Sequence, residues 1–89
     1  MNSWREQAFR EALGRLPVQV AEQAAAAYRL FCSDPFHPSL QFKSVTASGD
    51  LWSVRIGLGY RALGRRHQDT IIWFWIGTHA EYDQLLRRR

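Results

Sequence analysis

Thr70-Ile71-Ile72-Trp73-Phe74-Trp75-Ile76-Gly77-Thr78-His79-Ala80-Glu81 decides how the rest of the chain is read. From Ile71 to Ile76 the residues are apolar without a break, and six of them suit a strand rather than a membrane span. Alternation sets Ile71, Trp73 and Trp75 on one face and Ile72, Phe74 and Ile76 on the other, so both faces need cover. The strand must end at Thr78, because Thr78-His79-Ala80-Glu81 has the form of a capping box. A short helix is expected to run from there through Leu85 and Leu86 into Arg87, Arg88 and Arg89, cations that suit the negative end of a helix dipole.

Upstream, three more stretches carry strand character: 40–45, 50–56 and 60–66, separated by short polar or glycine-containing turns. With 70–76 they predict an antiparallel meander of about four strands. Before residue 40 the period changes. Ser33-Asp34-Pro35-Phe36-His37-Pro38 is a loop, since each proline drives the residue before it out of helical geometry. Val20, Ala21, Ala24, Ala25, Tyr28, Phe31 and Cys32 line one side of a helix that starts near Pro17. Its run Ala24 to Ala27 would let another element approach closely, and Cys32 reads as a small core residue. Ser3-Trp4-Arg5-Glu6 also matches a capping box, followed by Phe9, Ala12, Leu13 and Leu16 at helical spacing. The expected architecture is therefore α+β: an N-terminal antiparallel helical hairpin covering one face of the sheet, and a short C-terminal helix.

Eighty-nine residues make one domain, spanning 1–89, with a single core. The opening residues do not read as a secretion signal and no stretch is long enough to span a membrane, which makes the cytoplasm the expected location. Lone Cys32 excludes an internal disulfide. Net charge is +4, and its distribution is uneven. Up to Pro35 four arginines balance Glu6, Glu11, Glu22 and Asp34; from Phe36 onward Lys43 and seven arginines face only Asp50, Asp69, Glu81 and Asp83. A basic half attracts a polyanion or an acidic protein. Several enzyme classes find no support: there is no glycine-rich phosphate loop, no Gly-x-Ser-x-Gly elbow and no Cys-x-x-Cys pair. His37, between Pro35 and Pro38, has no second histidine or acid at metal-ligand spacing and reads as structural. Trp52, Trp73 and Trp75 read as packing or as a protein interface.

Five strings, in order, resemble the RelE/ParE toxins of bacterial type II toxin-antitoxin systems: Leu16-Pro17, the stretch from Asp34 to Lys43, Leu51 to Ile56, Gly59-Tyr60-Arg61, and Ile76 to Tyr82. Many such toxins open with a β-strand, whereas Ser3 as a helix cap would leave this chain one strand fewer and a free sheet edge. The resemblance to the RelE branch implies cleavage of messenger RNA on the ribosome, with no metal and no cofactor, by attack of a ribose 2′-hydroxyl on the adjacent phosphate. It implies that Arg61 grips the phosphate, for which a planar guanidinium is suited, and that Lys43, Arg55 and Arg65 hold RNA or charge developing on it. His79 and Tyr82, three apart on one helical face, would serve the proton transfers. Each has a plain alternative: arginines exposed on strands, a solvated histidine, a tyrosine packed on the sheet. The resemblance to the ParE branch implies instead a toxin that inhibits DNA gyrase through protein contacts, and a degenerate member would keep only antitoxin binding. All three imply a cognate antitoxin partner and none a membrane; a homodimer and a toxin-antitoxin hetero-oligomer both stay open.

Overall fold

The computed structural model describes residues 1–88. Strands β1 (Asn2–Arg5), β2 (Lys43–Ser44), β3 (Leu51–Ile56), β4 (Tyr60–His67) and β5 (Thr70–Thr78) form one sheet in the order β1-β5-β4-β3-β2. Helices α1 (Gln7–Gly14) and α2 (Val18–Ser33) lie on its first face, and α3 (His79–Arg87) follows β5 directly. The α+β class and the three helices agree with the sequence reading. The sheet does not: it has five strands and is mixed, because β1 runs parallel to β5 while every other pair is antiparallel.

That extra strand overturns the capping box at Ser3. Asn2 to Arg5 pair in register with Thr70 to Trp73, and the Ser3 hydroxyl accepts the Trp73 indole N–H at 3.1 Å instead of capping a helix. Helix α1 starts at Gln7, with Glu6 as an N-cap that makes no side-chain cap bond. Trp4, inside that string, pairs with Ile72 and is 65% exposed. Tertiary pairing has outweighed a local signal that four residues can produce by chance. The sheet edge predicted to be free beside β5 is therefore occupied by β1.

At the other end of the chain the capping box holds. Thr78 Oγ1 accepts from the Glu81 backbone N–H at 3.1 Å, and the Glu81 carboxylate accepts from the Thr78 N–H at 2.8 Å. Arg89, the last of the three predicted terminal cations, lies outside the described residues. The predicted strand 40–45 contracts to two residues, because Pro38–Leu40 form a 3-10 turn and Gln41 adopts a left-handed conformation (φ 47°). His37 holds that turn by accepting from the Ser39 N–H at 3.2 Å, the structural role read for it.

One irregularity resets the faces of β5. Leu63 pairs with Trp75 but Gly64 pairs with Trp73, so Phe74 is an extra residue opposite the β4 ladder. Beyond this bulge the alternation is shifted by one. Ile71, Trp73 and Ile76 join the first-face core with Phe9, Ala24, Phe31, Val54 and Ala62. Phe74 and Trp75, adjacent in sequence, both join the second-face cluster around Leu51, Leu63 and Tyr82. The predicted grouping of Trp75 with Trp73, and of Ile76 with Phe74, is thus reversed from the bulge onward. Cys32 is also corrected: it is exposed, and its neighbour Phe31 fills the core instead.

Helix α1 rests on β5 and α2 on β3, so the two helices straddle β4. Alanines in α2 therefore do not bring it tightly against α1. They line an open cleft instead.

Candidate functional site

Antiparallel register sets Arg55 of β3 directly opposite Arg61 of β4, and Arg61 opposite Gly77 of β5. Residues paired in this way share a face. Alternation puts that face on the side of Ser53 and Leu63, the second face, over which α3 packs. Both guanidinium groups are half-buried and tied to backbone carbonyls at the β3–β4 turn: Arg55 Nε donates to Gly57 O at 2.9 Å, and Arg61 Nη1 donates to Tyr60 O at 3.0 Å. Among the described residues neither has a carboxylate partner. Each keeps N–H groups for an external anion, and holding them in place lowers the entropy lost when one binds. Arg55 also reaches the edge of β3 that β2 leaves uncovered, where it borders an open depression with Gln23, Leu30 and Leu58.

His79 is brought to the same end of the sheet. Thr78 pairs with Tyr60, and the His79 backbone N–H donates to Gly59 O at 2.8 Å, fastening the start of α3 to the β3–β4 turn. Its ring is half exposed, with Nε2 3.3 Å from the Asp83 carboxylate one helical turn on. Gly77 shapes the floor between: a Cβ there would stand 2.6 Å from the Trp75 ring and 2.8 Å from Glu81 Oε1. Only glycine lets the indole lie across the strand beside Arg61.

Tyr82 lies at the root of the site rather than at its surface. It is 6% exposed, packs with Leu51 and Leu63, and its hydroxyl bonds to the buried Ser53 Oγ at 3.0 Å. Ring centroids of His79 and Tyr82 are 6.0 Å apart. Lys43, exposed on β2, pairs with Ser53 and so occupies the row next to the arginine pair. Arg65 is separate. It pairs with Leu51 and Ile72, about 13 Å along β4 from Arg61 at a strand's rise per residue. Its guanidinium stacks 4.0 Å over Phe74 and lies 3.8 Å from the Glu6 carboxylate. The fold thus gathers Arg55, Arg61 and His79 at one end, buries Tyr82 beneath them, sets Lys43 in the middle row on β2 and leaves Arg65 at the other end.

Sequence reasoning passed over Ser53, Gly77 and Asp83. A serine at an inward position of the apolar strand Leu51–Ile56 signals a buried hydroxyl in need of a partner. The spacing of four between His79 and Asp83 was legible as a helical pair. Gly77 carried no such signal, since its role depends on where the bulge sends Trp75.

A family model described as the ParE-like toxin domain matches residues 18–84, three quarters of the chain. The chain belongs to this family, within the RelE/ParE superfamily of toxins. Solved structures with the same fold include the RelE–RelB antitoxin-toxin complex from Methanococcus jannaschii (TM-score 0.70, 16% identity, covering 92% of this chain and 96% of that one). The YoeB/ParE toxin from Agrobacterium tumefaciens (0.65, 15%, 89% and 99%) and the isolated RelE toxin of E. coli (0.64, 13%, 98% and 96%) are similar too. Among curated proteins none matches significantly.

Proposed function

We propose that this chain is the toxin of a toxin-antitoxin pair and acts as a ribosome-dependent endoribonuclease on messenger RNA, arresting growth by blocking translation. The observation that carries the reading is the Arg55–Arg61 pair: two arginines opposite one another on β3 and β4, anchored to backbone carbonyls and, among the described residues, without a carboxylate partner, at the same end of the sheet as His79. In this reading the ribose 2′-oxygen attacks the neighbouring phosphorus, the bond from phosphorus to the 5′-oxygen breaks, and a 2′,3′-cyclic phosphate and a 5′-hydroxyl result. Arg61 and Arg55 bind the phosphate oxygens and neutralise the charge that grows on them in the transition state. Lys43 contributes a third cation to the RNA backbone. His79 exchanges a proton with the reacting oxygens. Tyr82, its hydroxyl engaged by Ser53, holds α3 and thereby positions His79.

Adding the protein to a translation extract should yield messages cut within codons, and Arg61→Ala should reduce the cutting by about a hundredfold or more. Intact messages with the wild-type protein would overturn this reading. A second reading has support in the description of the matched family as ParE-like: inhibition of DNA gyrase through protein contacts. It predicts that the purified protein blocks supercoiling, and that Arg61→Ala leaves translation in the extract as undisturbed as wild type does. Under both readings the partner is a cognate antitoxin, as in the RelE–RelB complex. Its acidic or amphipathic segment would complement the surplus of positive charge.

A further inference from the structure

The cleft between α1 and α2 is independent of the arginine site and lies on the opposite face of the sheet. Its volume is about 270 Å³ and most of its lining is apolar. The floor is Val54, Ala62 and Trp73, one residue from each of the three central strands, and Ala21, Ala24 and Ala25 form the α2 wall. Protein interiors rarely leave apolar spaces larger than a water molecule unfilled, and the cost of doing so grows with volume. A dry cavity of ~150 Å³ already suffices to take up benzene. This space is larger, and Trp73 beneath it is only 2% exposed.

The mouth has a different chemistry. Arg5 and Arg29 both border it, and Arg5 is held there with its guanidinium 4.6 Å above the Tyr28 ring. Among the described residues neither arginine has a carboxylate partner. An apolar interior closed by two unpaired cations is complementary to a molecule with an alkyl tail and one anionic end.

We propose that the cleft binds a free medium-chain fatty acid, its alkyl chain lying between α1 and α2 over Ala62 and its carboxylate on Arg5 and Arg29. The fork of a guanidinium matches the two oxygens of a carboxylate, which makes charge as well as apolarity a determinant of affinity.

Calorimetric titration of the purified full chain with decanoate, decan-1-ol and decylammonium tests this. Decanoate should bind at one site, and decylammonium should bind about tenfold or more weakly. Arg29→Ala should weaken decanoate but not decanol, and Arg5→Ala with Arg29→Ala should bring decanoate down to the affinity of the alcohol. Ala21→Phe and, nearer the mouth, Ala25→Phe should each abolish binding of both decanoate and decanol, with fold checked by near-ultraviolet circular dichroism. In the wild-type protein, decanoate methylenes should show nuclear Overhauser contacts with the Ala24 and Ala25 methyls, which needs no variant. The proposal is overturned if decanoate does not bind, binds no better than decylammonium, binds many molecules per chain, or binds equally after both cleft-filling substitutions. It is overturned likewise if an acidic amphipathic helical peptide occupies the cleft where decanoate does not.

Discussion

At the scale of single residues, the geometry separates groups that would act on a substrate from groups that hold them. In the proposed reading Arg61 and His79 are of the first kind. Arg61→Lys keeps the charge but loses the planar fork, so it should not restore message cutting in the extract, whereas a purely electrostatic role would be largely rescued. His79→Ala should slow cutting by about a hundred- to ten-thousand-fold, as loss of a proton-transfer group does. Tyr82 is of the second kind. Tyr82→Phe leaves the Ser53 hydroxyl, 1% exposed, without the bond to Tyr82 and should lower unfolding free energy by about 1–2 kcal/mol in urea titration. The candidate cations were legible because Gly59-Tyr60-Arg61 and the basic strand positions are written in the sequence. Burial of Tyr82 was open only as the alternative, a tyrosine packed on the sheet; choosing it required knowing that α3 folds back over β4 and β5 and brings the hydroxyl to Ser53.

Among the elements, α3 and β5 set the site together. Thr78→Ala removes one half of the capping box and should cost about 1 kcal/mol of helix stability, seen as faster amide exchange in the first turn of α3. Gly77→Ala should do more harm, because its methyl would meet the Trp75 ring; about 1–3 kcal/mol of destabilisation, with impaired cutting, is expected from forcing a side chain into a filled space. Helices and strand positions were largely readable from periodicity. Two features escaped it, for different reasons. Ser3-Trp4-Arg5-Glu6 satisfies a helix-start pattern, and nothing local reveals that Trp73, seventy residues on, offers its indole to Ser3. The Phe74 bulge hides because six consecutive apolar residues carry no alternation from which a shift by one could be noticed.

For the whole molecule, the positive surplus should govern association with RNA. If Lys43, Arg55 and Arg61 each neutralise one phosphate, the logarithm of affinity for single-stranded RNA should fall against that of salt concentration with a slope of about −2, and Arg61→Ala should flatten it by about 0.7. Fluorescence anisotropy with a labelled oligonucleotide measures both slopes. The pairing of β1 with β5 carries a consequence in time rather than in space. Synthesis delivers residues 2–5 well before residues 70–78, so β1 waits unpaired while β2, β3 and β4 are made. A nascent chain interrupted before β5 has neither the finished sheet nor α3, and hence no assembled site. Under the proposed nuclease reading, the chain therefore stays harmless to the ribosome producing it until β5 has been made and paired.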